Sequence, residues 1–569
     1  MVSQSKSFSG SESDDGTATE LEENIKLDTA TTGDGIKEED ACIKTIRWNT
    51  LMELKEDRGL GRATQVRDLG SRDPGRDPGR ATWVRANQVA RPGFARPRRL
   101  AWVASPRSRG LGSRDPGAWP GSRDPGRAAW VARPSHAFSL LTLVRKLAKA
   151  APNVHFSFLN TQKSNHSLFS TAKPDEILPN IKAYDVADGV PAGHVLSPNP
   201  IEAVELFIKV SPQNFKRGLE VAVAETGKKI SCLISDAFLT FALEVAEDLH
   251  VPWIPIWLPF PCSLSAHVYT DLIRQRFASN KVKDATLEFI PGLSQMRVSD
   301  LPDEVLSEKL EETTFSHMLS QVGLVLPRAS AVVLNFYEEL NPPLLNRDFK
   351  TKFRNVLNVG LFTLSLPSQS DSNLTGCISW LDEQKERSVA YVSFGTVASP
   401  PQNELIALAE ALEESGIPFL WSLKENIKSL LPKGFVERTG MQGKIVPWTP
   451  QVKVLAHSSI AVFMTHCGSN SVLESVAYGV PLICRPFFGD HHMTGRMVEE
   501  VLGVGVKVEG AILTKSGLLK SLELILGHEN GKEMRDKAQA LKHTVQAAAS
   551  PNGTAAKDFI HLVELISVP

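Results

Sequence analysis

From residue 136 onward, short apolar runs alternate with amphipathic segments, and that alternation narrows the possible folds more than any other feature. HAFSLLTLVRKLAKAA (136–151) sets Leu140, Leu141, Val144 and Leu147 at helical spacing, and NVHFSFLN (153–160) follows as a strand. The rhythm continues with strand ISCLISD (230–236), helix AFLTFALEVAEDL (237–249) and strands VPWIPIW (251–257) and ASAVVLNF (329–336). Strands alternating with helices predict a parallel sheet covered on both faces.

The rhythm then restarts. After a polar stretch at 365–376 come strand SVAYVSFG (388–395), helix PQNELIALAEALEESG (401–416) and strand PFLWSL (418–423). Strand AVFMTH (461–466), helix SVLESVAYG (471–479) and strands VPLIC (480–484) and GVGVKVEG (503–510) complete it. The fold class is therefore α/β, with two doubly wound, Rossmann-like domains facing a cleft: 136–364, a linker at 365–376, and 377–569 ending in a C-terminal helix. Such clefts take small molecules at the carboxyl ends of the strands.

The first 135 residues have a different texture. Residues 1–57 carry 14 Asp/Glu against 6 Lys/Arg, whereas 58–135 carry 17 Arg and no Lys against 5 Asp. The second block repeats SRDPG at 71–75, 113–117 and 122–126. Its Pro/Gly density interrupts any helix or strand period, so both blocks are expected to form a disordered N-terminal extension. An Arg-rich arm gripping nucleic acid is the functional alternative. Over the whole chain 63 Lys+Arg balance 64 Asp+Glu, which gives that alternative no global support.

The six cysteines sit alone, without CxxC spacing, as reduced thiols do inside cells. The polar start MVSQSKSFSGSESDD lacks the features of a signal peptide, and prolines break the most apolar stretch, VPWIPIWLPFPC (251–262). A cytoplasmic protein with no membrane span is expected. The pair His491-His492 lacks the i, i+4 spacing of a helical zinc site.

The chemistry concentrates in WTPQVKVLAHSSIAVFMTHCGSNSVLESVAYGVPLICRPFFGDHH (448–492). A buried strand ends in His466-Cys467-Gly468 and a helix begins around Ser469-Asn470-Ser471. Glycine lets a ligand approach the backbone, and free amides with Ser471 at a helix N-terminus suit a phosphate oxygen. His466 adds a donor there. Trp448 and Gln451 offer an aromatic plate and an amide for a planar base and its sugar, and Glu474 can accept from ribose hydroxyls. Taken singly, such residues are more often a core aromatic, a helix cap or a surface charge. Together they predict a nucleotide-diphosphate site.

This segment resembles the donor-binding signature of plant family 1 UDP-dependent glycosyltransferases, which spans 44 residues from Trp448 to His491. The chain from His136 onward resembles their flavonoid/anthocyanidin 3-O-glycosyltransferase branch, with further matches in DGVPAGHV (188–195), FIPGLSQMRVSDLP (289–302) and VSFGTV (392–397). The resemblance implies the GT-B fold and transfer of a hexose from a UDP-sugar to a phenolic hydroxyl. No cofactor and no metal are implied, since the UDP-sugar is a co-substrate. The partners implied are a flavonoid acceptor and a UDP-hexose donor, with no nucleic acid, and the chain is expected to act as a monomer.

By the same resemblance, Trp448 stacks on uracil and Gln451 and Glu474 hold the ribose. His466, Gly468, Ser469, Asn470, Ser471 and Thr396 surround the diphosphate, and Asp490 and His491 meet the sugar hydroxyls. His136 is the general base, Asp236 its partner carboxylate, and Phe238, His267 and Phe488 line the acceptor pocket. An attacking phenolic hydroxyl must lose its proton, and an imidazole backed by a carboxylate is suited to take it. The bland alternative for Asp236 is an N-cap of the helix at 237–249.

Three departures from the family pattern bear on function. His491 stands where glucose-using members have Gln, and His at this place goes with galactose donors. Ser469 replaces a Trp, and Leu258 stands where relatives often have Thr. Upstream of His136, GRAAWVARPS (126–135) replaces the apolar first strand. AAWVA can mimic a strand of about five residues, but flanked by Arg127 and Arg133 it makes a poor central strand. A missing strand would misplace the base, leaving a protein that binds UDP-sugar but is catalytically impaired.

Overall fold

Each of the two runs closes into its own parallel sheet. The computed structural model describes residues 127–131, 136–170, 178–197, 200–277, 284–306, 314–365, 375–395 and 399–567. The first sheet holds β1 (Arg127–Val131), β2 (His155–Thr161), β3 (Ile181–Val186), β4 (Cys232–Asp236), β5 (Trp253–Trp257), β6 (Val332–Leu334) and β7 (Val356–Asn358) in the order β3-β2-β1-β4-β5-β6-β7. The second holds β8 (Val389–Ser393), β9 (Phe419–Ser422), β10 (Gly443–Val446), β11 (Ile460–Thr465), β12 (Leu482–Cys484) and β13 (Gly505–Lys507) in the order β10-β9-β8-β11-β12-β13. All pairs within these sheets are parallel.

Of the two readings of GRAAWVARPS, strand or replacement of one, the structure has the five-residue strand. β1 lies inside its sheet, third of seven strands, with Ala128–Val131 in register with Phe156–Leu159 of β2 and with Cys232–Ser235 of β4. Five residues suffice because a central parallel strand needs a paired backbone on both sides, and Ala-Ala-Trp-Val supplies it without proline. Arg127 pairs only at the strand's start, opposite His155, while Arg133 and the rest of 1–126 and 132–135 lie outside the described residues. The backbone reason for an impaired enzyme is thereby removed. The expectation of disorder for 58–135 does not hold for 127–131, and the 365–376 linker lies outside the described residues except for Ser365, Thr375 and Gly376.

Six helices position the site: α1 (Ala137–Ala150), α2 (Pro261–Val268), α3 (Gln451–Ala456), α4 (Ser469–Tyr478), α5 (His491–Arg496) and α6 (Thr554–Ser567). α1 buries Leu140, Leu141, Leu143, Val144 and Leu147 against Phe156, Phe158, Ile234 and Ile254 of the first sheet. At about 1.5–3 kcal/mol for each fully buried side chain, this face fixes the helix that starts beside His136. The chain ends by crossing back: Leu562 and Ile566 of α6 join the same core, and Asp558 accepts the Asn358 amide at 2.7 Å. Thus the two lobes are tied by chain beyond the linker. Among the described residues no helix is long and apolar enough to cross a membrane.

Candidate active site

In both sheets the strand order reverses at one place, between β1 and β4 in the first and between β8 and β11 in the second. Ligands bind where such a reversal opens a crevice outside the carboxyl ends of the strands. His136 lies just beyond β1 and Asp236 ends β4, whereas Phe394-Gly395 leave β8 and His466-Cys467-Gly468 leave β11. Both reversals therefore carry the residues singled out above.

At the first, His136 Nδ1 lies 2.8 Å from Asp236 Oδ2, and Asp236 is 0% exposed. Asp236 Oδ1 accepts the Phe238 amide at 3.1 Å. The helix expected from 237 begins at Ala242, with Phe241 at its N-cap, so Asp236 closes a tight turn rather than capping that helix. A carboxylate accepting from Nδ1 leaves Nε2 as the basic nitrogen of the imidazole. His136 is itself the N-cap residue of α1 and part-buried.

Aromatic rings extend from this pair in a row. His136 and Phe238 are 5.8 Å apart, Phe238 stacks on Trp257 at 4.9 Å, and Trp257 meets the His267 ring edge-on at 5.7 Å. The expected acceptor residues Phe238 and His267 are thus joined through Trp257, which sequence reasoning missed. Burial, and to a lesser degree Arg274, lowers the His267 pKa to about 4, so this ring is neutral at pH 7. Phe488 sits in the other lobe, 51% exposed, 4.7 Å from the His491 ring.

At the second reversal, His466 is clasped between two glycines. A Cβ on Gly395, whose φ is +75°, would come 2.8 Å from His466 Cε1, and one on Gly468 would come 2.3 Å from Nε2. Directly after His466, Cys467 takes φ +68°, a strained conformation for a non-glycine residue costing on the order of 1 kcal/mol. Gly468 is the N-cap of the ten-residue α4, and no side chain caps it. The first-turn amides and the helix dipole there favour an anion.

His466 and His491 meet edge-to-face at 5.1 Å, and the Nδ1 atom of each is buried without a hydrogen-bond partner. Burial first, then His491, lowers the His466 pKa to about 3, while burial followed by His492 and Arg485 lowers that of His491 to about 3. Both rings are neutral at pH 7 and each keeps one N–H to donate.

Trp448 follows β10 and leaves an aromatic plate 51% exposed. Gln451, at the start of α3, donates to Ser471 Oγ at 3.0 Å and to Glu474 Oε2 at 2.8 Å. Accepting there leaves the Ser471 hydroxyl proton for a ligand oxygen. Glu474 Oε1 accepts from Thr363 Oγ1 at 3.0 Å, and burial raises its pKa against the pull of these two donors. Ser469 begins α4 and Asp490 precedes α5 as its N-cap residue. Thr396 lies outside the described residues.

Asn470 joins the two halves. Its Nδ2 donates to Ser139 Oγ at 3.0 Å, one turn along α1 from His136, and its Oδ1 accepts from Asn335 Nδ2 at 2.8 Å. Asn335 Oδ1 in turn accepts the Phe362 amide at 3.0 Å. Helix α1, which starts beside His136, and the turn that opens α4 therefore meet in one crevice. With its side chain committed to this bridge, Asn470 has its backbone amide and one Nδ2 proton left for a phosphate. Ser139 and Asn335 were not anticipated, although an i, i+3 polar partner of His136 and a lone Asn closing an apolar strand were signals for them.

Residues 135–544 match the family model described as UDP-glucoronosyl and UDP-glucosyl transferase. An anthocyanidin 3-O-glucosyltransferase of Vitis vinifera is 48% identical over 438 residues, covering 76% of this chain and 95% of that protein. An anthocyanidin 3-O-galactosyltransferase of Rhododendron delavayi is 48% identical over 445 residues, with the same coverage. A crystal structure of a UDP-glucose:anthocyanidin 3-O-glucosyltransferase in complex with UDP superposes with a TM-score of 0.73 at 50% identity, covering 78% of this chain and 98% of that one.

Proposed function

The chain belongs to the UDP-glucuronosyl and UDP-glucosyl transferase family, in its plant flavonoid 3-O branch, and from that premise we propose that it moves a hexose from a UDP-sugar to the 3-hydroxyl of a flavonol or anthocyanidin. The observation that carries this reading is the Ser139–Asn470 bond, which sets a His–Asp pair and an uncapped helix N-terminus in one crevice.

In this reading the acceptor lies along the Phe238–Trp257–His267 row with its 3-hydroxyl toward His136 Nε2. The imidazole takes the hydroxyl proton as the oxygen attacks the anomeric carbon, and the bond to the UDP oxygen breaks. Asp236 stabilises the imidazolium that results. The α4 amides, Ser471 and the neutral His466 receive the diphosphate charge, in place of an acid or a metal. Trp448 stacks on uracil, and Gln451 with Glu474 exchanges a mutual bond for ribose hydroxyls. Attack from the side opposite the leaving group turns an α-linked donor into a β-glycoside.

We assign galactose as the favoured hexose. His491 offers one buried N–H or lone pair where a glutamine offers an amide, and its unpartnered Nδ1 supports a contact to the axial 4-hydroxyl. Turnover of UDP-galactose and UDP-glucose with a flavonol acceptor, in the native protein and in His491→Gln, tests this. Galactose is expected to be preferred in the native protein and the preference to move toward glucose by about tenfold in the variant, the scale of one hydrogen bond to a substrate hydroxyl. Equal donor use in both proteins would remove the assignment.

A further inference from the structure

Behind the sugar end of the donor site lies a buried group of charges that the reaction does not use. Asp300, 1% exposed, ends the 3-10 turn Val298–Asp300 in the lobe of the first sheet, the acceptor lobe of the proposed reaction, the lobe of the second sheet being its donor lobe. Its carboxylate accepts from Arg496 Nε at 2.8 Å and Nη2 at 3.4 Å, and from Lys507 Nζ at 2.8 Å. It also accepts the Arg297 amide at 3.1 Å. Arg496 and Lys507 belong to the donor lobe, 196 and 207 residues away in sequence. Arg496 Nη1 also reaches Glu499 at 3.4 Å and Glu500 at 3.2 Å, both in the π-helical turn Met497–Val501, and Glu499 accepts the Lys507 amide at 3.0 Å.

Arg496 is the last residue of α5, whose first residue is His491. Along a rigid helix these two lie about 7.5 Å apart, so a tilt at one end moves the other. The same helix abuts the anion-binding turn: a Cβ on Gly495 would sit 3.5 Å from Cys467 Sγ and 3.3 Å from Lys507 Cδ. α5 also packs on the Val298–Asp300 turn and on α2, which carries His267. Removing these charges from water costs roughly what their attraction regains, so the cluster contributes orientation more than stability. A guanidinium gripping a carboxylate through two N–H groups fixes direction as well as distance.

We infer that Asp300, through Arg496 and Lys507, is a positioning residue that registers the sugar end of the donor site, Asp490 and His491, against the acceptor lobe. The inference rests on the reading above that α5 presents its first residues to the donor hexose. In that reading uracil, ribose and diphosphate are held by Trp448, α3, α4 and the turn after β11, so loss of Asp300 disturbs the hexose and spares the nucleotide. A misplacement of ~1 Å at the reacting carbon lowers the rate by about 100-fold.

The test uses the full-length protein with Asp300→Asn and Lys507→Met, the latter leaving Arg496 still bound to Asp300. UDP affinity is measured by calorimetry, and kcat and KM with both UDP-hexoses and a flavonol. The expected result is a UDP dissociation constant within about twofold of the native value, with kcat/KM for the preferred hexose down about 10- to 100-fold in Asp300→Asn and several-fold in Lys507→Met. The galactose-to-glucose ratio should move toward one. Parallel loss of UDP affinity and hexose turnover, or unchanged kcat/KM, overturns the inference. Should Asp300→Asn give no cooperative thermal unfolding, Lys507→Met alone decides it by the same two criteria. A native protein that binds UDP but turns over neither hexose overturns the activity and this inference together. An active native protein with unaffected variants overturns this inference alone.

Discussion

The two strand-order reversals present the same side chain in opposite settings. His136 in the acceptor lobe stays part-exposed and points one nitrogen at a buried carboxylate. His466 and His491 in the donor lobe face each other, buried, each with an Nδ1 atom that has no hydrogen-bond partner among the described residues. A carboxylate neighbour makes an imidazole a proton acceptor, whereas desolvation without an anion keeps it neutral and able to donate. In the proposed reaction one residue type thereby serves attack on one side and leaving-group stabilisation on the other.

Removing the acceptor-lobe pair should have the largest effect. His136→Ala and Asp236→Ala are each expected to lower kcat by about 10³-fold, and the double variant by little more, because the two act as one unit. UDP affinity, measured by calorimetry on the same proteins, should stay within about twofold. On the donor side the pattern should invert: His466→Ala is expected to weaken UDP binding about tenfold as well as to lower kcat by about 10²-fold, since it removes a donor to the diphosphate. Equal effects of the two histidines on UDP affinity would erase the distinction between them.

Much of this comparison was legible in the chain. The alternation after residue 136, the 448–491 segment and the pairing of His136 with Asp236 follow from local pattern and resemblance. Three of the four edge strands do not: β3, β7 and β10 close ends of their sheets, and their short or half-exposed runs carry little period-2 signal. β1 gives a weak signal because its flanking arginines and RDPG repeat dominate the composition, although five residues paired to β2 and four to β4 are enough to build it. The contacts between lobes were hidden by distance along the chain. Ser139 and Asn470 are 331 residues apart, Asn335 and Asn470 135, Asp300 and Arg496 196, and no periodicity connects such pairs.

A smaller effect separates the histidines by stability. Unfolded His267 and His491 take up a proton below about pH 6.5, but the folded, buried rings refuse it until about pH 4 and about 3. Their folded pKa values are lowered, so stability is full above pH 6.5 and falls as the pH drops toward 4. Each ring should cost about 1.4 kcal/mol per pH unit across that window, as an upper estimate. Urea unfolding at pH 7.0 and 5.5 measures the loss, and replacing His267 with Gln should remove about half of the part due to these two rings. A pH-independent midpoint would mean that these rings are hydrated in the folded protein.

In the proposed reaction a UDP-hexose on the donor lobe and a phenolic hydroxyl at His136 meet in one crevice. Product identification after incubating the full chain with UDP-galactose or UDP-glucose, and either a flavonol or the flavone lacking its 3-hydroxyl, tests it most directly. A 3-O-β-glycoside from the flavonol, and none at that position from the flavone, is the predicted result. UDP bound by the protein with no glycoside from either acceptor would contradict it.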